Sequence, residues 1–243
     1  INALMNAIMT FDVIDYSEIN NPVSMEYPVY TTLLLSDFHV TEDLHGVTYA
    51  TTIEGKGSLT DKIIVTAQSN LTPGERVSTL VYKEKDGDLE TSLTINVPIR
   101  LAKPVVDVVE GIGLALELDW QDVYGATSYI IKSEDTHVMT IEKDGEGNLA
   151  SYYKVTSIGG KSLVVGKQYS FTVTAVYEPN TFGNRTSDEI LATPSAPTKI
   201  TSTTVLDLYT GTDKSGSRPY HKDGKRLINL STAFKDGVAV FDQ

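Results

Sequence analysis

Hydrophobic and polar residues alternate with a period of two along most of this chain. Between residues 29 and 99 the pattern breaks into short runs, VYTTLLL, GVTYATTI, DKIIVTA, RVSTLVYKE and LETSLTINVPI, with turn residues between them. Runs of this length, rich in Val, Ile, Thr and Tyr, predict the strands of an antiparallel sandwich. Val77, Thr79 and Val81 alternate ahead of Asp86-Gly87, a dipeptide that signals a hairpin. The first residues break the rhythm. Ile1, Leu4, Ile8 and Phe11 fall at helical spacing, so residues 1–11 predict one short amphipathic helix that must pack on something. Residues 12–28, with Asn20-Asn21-Pro22 and Pro28, read as loop.

A second set of strands runs from 101 to 194. Leu114, Leu116, Leu118 and Trp120 alternate with small or acidic residues, which predicts a strand ending in a core tryptophan. Gly125 and Ala126 turn the chain into a further strand through Tyr129. Leu163, Gly166 and Tyr169 then stand three apart, ahead of Phe171, Val173, Ala175 and Tyr177 in strict alternation. That spacing matches a tyrosine corner, in which the ring is buried and the hydroxyl bonds back to upstream backbone. An Ala-Thr-Pro at 192–194 closes the run, and Pro194-Ser195-Ala196-Pro197 reads as an extended linker.

In this order, Trp120, the Gly-Ala-x-x-Tyr entry to Tyr129, the Leu163, Gly166, Tyr169 corner and the closing Ala-Thr-Pro resemble fibronectin type III domains. The resemblance covers residues 101–194. Loops 133–137 and 144–148 look longer than the family's usual ones, and Val165 stands where proline is common. A fainter echo, Leu71-x-x-Gly74-x-x-Val77, lies upstream without a matching tryptophan or tyrosine. It leaves open whether the first unit is a diverged copy or a generic Ig-like sandwich. The fold class expected is therefore mainly β, with two tandem antiparallel sandwiches, Ig-like over 29–100 and fibronectin type III-like over 101–194. A helical stub and linker over 1–28 precede them, and a linker with an irregular, docking extension over 195–243 follows.

Composition agrees with this class and narrows the partners. Tyr (13) outnumbers Phe (6) and Trp (1), as in β-rich chains. A formal net charge of −12 repels polyphosphate and anionic lipid, so nucleic acid is not expected as a partner. No apolar run is long enough to predict membrane insertion by a helix. The absence of cysteine removes disulfides and thiolate metal sites. The chain starts at Ile1, which suggests processing or a segment of something longer.

Candidate chemistry is sparse. His39, His45, His137 and His221 fit no metal-ligand spacing, and Gly160-Lys161-Ser162 lacks the leading glycine of a phosphate loop. Asp86-Gly87-Asp88 with Glu90, and Asp144-Gly145-Glu146 with Asn148, alternate oxygen ligands as calcium loops do, yet also read as hairpin turns. No catalytic residue, metal or cofactor is expected, and the chain is expected not to be an enzyme.

Contact residues are expected on loops at the ends of the sandwiches. Residues 121–125, 133–137 and 177–184 are candidates, and the last, with Tyr177, Phe182 and Asn184, is the foremost. Residues 214–226 carry five Lys or Arg against one Asp, with Arg218, Tyr220 and His221 among them, and suit an acidic neighbour such as another copy. The resemblance implies a structural or attachment role. Fibronectin type III-like modules occur in bacteriophage tails, so a virion tail hub or fibre component is the expected setting, with a homo-oligomer or neighbouring virion subunits as partners. A bacterial cell-surface or secreted adhesive module, with a cell-surface glycan as partner, is the alternative.

Overall fold

The computed structural model describes residues 6–29, 31–53, 61–111 and 114–196, together with the backbone of 234–235 and 238–239. The first half contains β1 (Ala7–Thr10), β2 (Ile14–Asp15), β3 (Val23–Pro28), β4 (Phe38–Asp43), β5 (Val47–Thr51), β6 (Lys62–Ala67), β7 (Gly74–Glu84) and β8 (Glu90–Arg100). One sheet has the order β1-β8-β7-β4, with β2 also on β8, and a second has the order β3-β6-β5. Period-two patterning does the sorting. Ile63, Val65 and Ala67 of β6, Leu80 and Tyr82 of β7 and Leu93, Ile95 and Ile99 of β8 are all buried at 0% exposure, within one core shared by both sheets. The β7–β8 hairpin closes where Asp86-Gly87 predicts, with the Glu84 N–H bonded to the Leu89 carbonyl at 2.8 Å.

The expected helix over residues 1–11 is not there. Ala7–Thr10 is a strand that runs parallel to Leu93–Asn96 of β8. Its side chains follow a period of two: Met9 and Phe11 are buried at 4% and 2%, while Ile8 is 69% exposed. A helix this short is marginal alone, whereas the edge of β8 offers a ladder of backbone groups that would otherwise lack partners. The expected loop over 12–28 likewise holds β2 and β3. The VYTTLLL run, expected as a strand, instead ends in a 3-10 turn at Leu35–Asp37, where the Asp37 carboxylate accepts the Leu34 N–H at 2.7 Å.

The second half contains β9 (Val106–Gly111), β10 (Ala115–Trp120), β11 (Ser128–Ser133), β12 (Thr136–Glu142), β13 (Tyr152–Val155), β14 (Ser157–Ile158), β15 (Lys161–Ser162), β16 (Tyr169–Val176), β17 (Arg185–Thr186) and β18 (Ile190–Ala192). Its sheets have the orders β13-β10-β9 and β12-β11-β16-β17, with β18 also on β16 and β14 paired to β15. Side chains from both larger sheets enclose a second core. The 133–137 loop is short: Glu134, at φ 52, and Asp135 alone separate β11 from β12.

The residues that carry the resemblance sit in that second core. Trp120 meets Tyr129 edge to face, with centroids 5.2 Å apart. The Tyr129 hydroxyl accepts the Val123 N–H at 2.9 Å. Tyr169 is 9% exposed and its hydroxyl accepts the Val164 N–H at 3.0 Å, which is the expected corner. Leu163 is buried beneath it, and Gly166 takes the left-handed φ of +75° that the turn needs. Val77 differs, being 51% exposed, so the upstream echo forms no second corner.

Candidate functional site

The residues expected to make contacts divide in two. Arg218, Tyr220 and His221, with the rest of 197–233, lie outside the described residues. Tyr177, Phe182 and Asn184 come together on the loop that follows β16. Two asparagines brace that loop. Asn184 Oδ1 accepts the Tyr177 N–H at 2.7 Å, and Asn180 Oδ1 accepts the Gly183 N–H at 2.9 Å, capping a 3-10 turn over Thr181–Gly183. Side-chain caps fix a loop in one shape, so its outer surface is presented ready-made.

That surface is turned toward the first core unit. Asn180 Nδ2 donates to the Pro73 carbonyl at 3.0 Å, and the Leu101 N–H donates to the Gly183 carbonyl at 2.9 Å. The Arg100 guanidinium lies 4.5 Å from the centre of the Phe182 ring, a cation–π contact. Beside it Arg185 pairs with Asp15 at 3.6 Å, and Tyr16 meets Tyr124 with centroids 4.9 Å apart. Tyr16 packs against both cores. Residues from β2, the turn before β7, β8, the 121–125 loop and the 177–184 loop therefore form one seam.

The seam leaves no slack at two glycines. A Cβ on Gly183 would come within 2.8 Å of both Pro73 and Tyr177, and one on Gly125 would come within 2.6 Å of the Tyr16 ring. Gly125 also has φ +82°, which an L side chain seldom adopts. Charge adds to the contact. Arg76 is partly desolvated next to Tyr177; burial pulls its guanidinium down, and the nearby phenol acts in the opposite sense.

Arg100, Asp15, Tyr16 and Pro73 are seam residues that sequence reasoning missed. One signal was present: the strand run ending at Ile99 and the unit starting at Leu101 leave almost no linker between them. So short a connection leaves the residues on either side of it close together.

The two calcium-like turns are internally used or open. The Asp144 carboxylate accepts the N–H groups of Glu146 and Asn148 at 2.9 and 2.8 Å, and these bonds, with Asn148 first, hold it below the usual carboxylate range. Among the described residues, no group of three or more His, Asp or Glu is arranged to hold a metal ion. His45, in the turn between β4 and β5, sits 3.0 Å from Asp43, and His137, near the start of β12, hydrogen-bonds Thr140 at 2.9 Å; both are exposed.

No protein-family model matches the chain, and no curated protein matches it either. Solved structures similar to it are fibronectin type III and Ig-like domains. The FN3tt mutant is 24% identical, over 39% of this chain and 94% of that one, with a TM-score of 0.26. Titin domains A168–A170 are 15% identical, over 78% of this chain and 62% of that one, with a TM-score of 0.28. Bovine butyrophilin is 9% identical, over 79% and 95%, with a TM-score of 0.34. The chain has an Ig- and fibronectin type III-like fold, and its own sheet orders and tyrosine corner carry that statement.

Proposed function

We propose that the chain is a non-catalytic structural or adhesive component, built as two β-sandwiches in tandem that act as one stiff rod. The Ig-like unit runs from β1 to β8 and the fibronectin type III-like unit from 101 to 194. The observation that supports this reading is the seam: an interunit hydrogen bond, a cation–π contact, an ion pair and a ring pair close it with no intervening linker. A contact of this kind holds two modules at one angle, which is what a spacer or adhesin needs and what a hinged pair lacks. The 177–184 loop then serves first as an internal clamp.

Small-angle scattering tests the rod. One rigid two-unit shape that accounts for the whole profile supports it, and a profile needing a broad ensemble of interunit angles overturns it. The virion tail setting is the further part of the proposal, with neighbouring subunits or copies as partners. A defined ring-like oligomer in light scattering at low concentration supports that setting. A monomer that binds a polysaccharide array supports the cell-surface alternative instead.

A further inference from the structure

Tyr16 and Tyr124 meet across the seam, with ring centroids 4.9 Å apart and planes tilted by 50°. The Tyr16 hydroxyl is hydrogen-bonded to Tyr124, which brings the two phenols together at their oxygen ends and with them the ring carbons ortho to each oxygen. Both rings are held from their backbones. Tyr16 follows β2, and its N–H donates to the Arg100 carbonyl at 2.7 Å. Tyr124 stands between two fixed neighbours. The Val123 N–H goes to the Tyr129 hydroxyl at 2.9 Å and its carbonyl accepts the Ala126 N–H at 3.1 Å, while Gly125 has no room for a Cβ beside the Tyr16 ring. Folding of the two units therefore sets the pair in place before any chemistry occurs.

Access to the pair suits oxidation from solvent. Tyr124 is 46% exposed, while Tyr16 is partly buried and packs against both cores. A radical formed on the accessible Tyr124 ring thus has a second phenol already in contact. Other described tyrosines lack this combination. Tyr82 is fully buried and its ring meets Phe38, Tyr129 is buried against Trp120, and Tyr152 is 45% exposed with no ring partner among the described residues. The chain has no cysteine, so no disulfide within it ties one unit to the other.

We propose that Tyr16 and Tyr124 form a modification site at which one-electron oxidation joins the two units by a dityrosine bond. The co-reactant is hydrogen peroxide acting through a haem peroxidase. Each phenol loses one electron and one proton and becomes a phenoxyl radical. The two radicals couple through ring carbons ortho to oxygen. A carbon–carbon bond forms there, and each ring regains its aromaticity as its ortho hydrogen moves to the phenolic oxygen. The two electrons and two protons released reduce one hydrogen peroxide to two waters. The bond does between these units what a disulfide does elsewhere, closing a long loop of chain and fixing the two ends of the contact. The inference rests on the seam of the rod reading and adds a covalent state to it.

The test treats the dilute full chain with a haem peroxidase and hydrogen peroxide, separates monomer from covalent multimers and maps the monomer's cross-linked peptides by mass spectrometry. The monomer is expected to show dityrosine fluorescence, a mass lower by two hydrogens and a peptide pair joining Tyr16 to Tyr124. Tyr16→Phe and Tyr124→Phe each keep an aromatic ring in the seam. Each is expected to lower the monomer's dityrosine at least about tenfold with unchanged circular dichroism, because a pre-positioned partner is lost. Tyr152→Phe, at an exposed tyrosine outside the pair, should leave the yield unchanged. Dityrosine confined to covalent dimers, a monomer cross-link mapped to another pair, or a yield that Tyr16→Phe does not lower would each overturn the inference. Scattering keeps it apart from the rod reading. A single rigid profile without the Tyr16–Tyr124 cross-link removes the modification site alone, and a broad profile of the untreated chain with the cross-link removes the rod and leaves the site.

Discussion

At the scale of single residues, a few groups hold loops that the strands alone would leave loose. The Tyr169 hydroxyl holds Val164, and the Tyr129 hydroxyl holds Val123. Tyr169→Phe keeps the buried ring and removes the corner bond, so a loss of about 1 kcal/mol in a denaturant titration is expected, with the fold retained. Gly183→Ala places a methyl against Pro73 and the Tyr177 Cβ, neither of which is the end of a flexible side chain. A cost of about 1–3 kcal/mol is expected there, read as a lower thermal midpoint. Of these two effects, the corner was legible in the sequence. Leu163, Gly166 and Tyr169 announced a local turn, because a corner is built from residues close along the chain. Gly183 announced nothing, because what crowds it is Pro73.

Buried phenols also set an alkaline limit. Burial, followed by the hydrogen bond to Glu42, pushes Tyr49 up to about 12 from an ordinary value of 10.0, and burial raises Tyr82 and Tyr129 as well. A raised value means that the folded state keeps the proton longer than the unfolded chain does. The Tyr49 contribution is intact below pH 10 and is lost as pH rises through about 12. Base unfolding followed by circular dichroism should therefore begin above pH 10 and coincide with a rise in tyrosinate absorbance. Tyrosinate absorbance that reaches its full value before any loss of structure would contradict this.

Among the elements, β1 decides most. It caps the edge of β8 and adds Met9 and Phe11 to the first core. Phe11→Ala is expected to cost about 3–5 kcal/mol, while Ile8→Ala, on the exposed face, should change stability by less than about 0.5 kcal/mol. A helix would bury Ile8 and Phe11 together, so this pair of chemical denaturation curves separates the two structures. The sequence misled here for a physical reason. Ile1, Leu4, Ile8 and Phe11 satisfy a helical period, and nothing local signals that β8 has an edge to be covered. The same holds for β3, where Pro22 and Pro28 read as loop markers although proline is acceptable on a strand edge. By contrast β6, β7 and β8 were legible throughout, since strict alternation over a buried face leaves no other reading.

For the whole molecule, the proposed rod depends on the seam. Phe182→Ala combined with Arg100→Ala removes the cation–π contact but no residue that is fully buried in either core. Each core should keep its thermal midpoint to within a few degrees, while the scattering profile broadens toward an ensemble of interunit angles. Residues 177–184 were expected to meet a partner, since Tyr177, Phe182 and Asn184 are what an exposed binding loop displays. Their inward target was not, because Arg100, Asp15 and Pro73 are far from them in sequence.

The sequence by itself determined where most strands lie, that the second unit resembles fibronectin type III domains and that its corner residues are Leu163, Gly166 and Tyr169. These are local properties: a period of two, a turn glycine and a fixed spacing are written over a few consecutive residues. Tertiary structure alone decided that residues 7–10 are a parallel strand, that the 177–184 loop closes on Pro73 and Arg100, and that β3, among the described residues, ends its sheet. Each of those depends on which distant backbone arrives alongside, and a pairing partner has no signature in the segment that receives it.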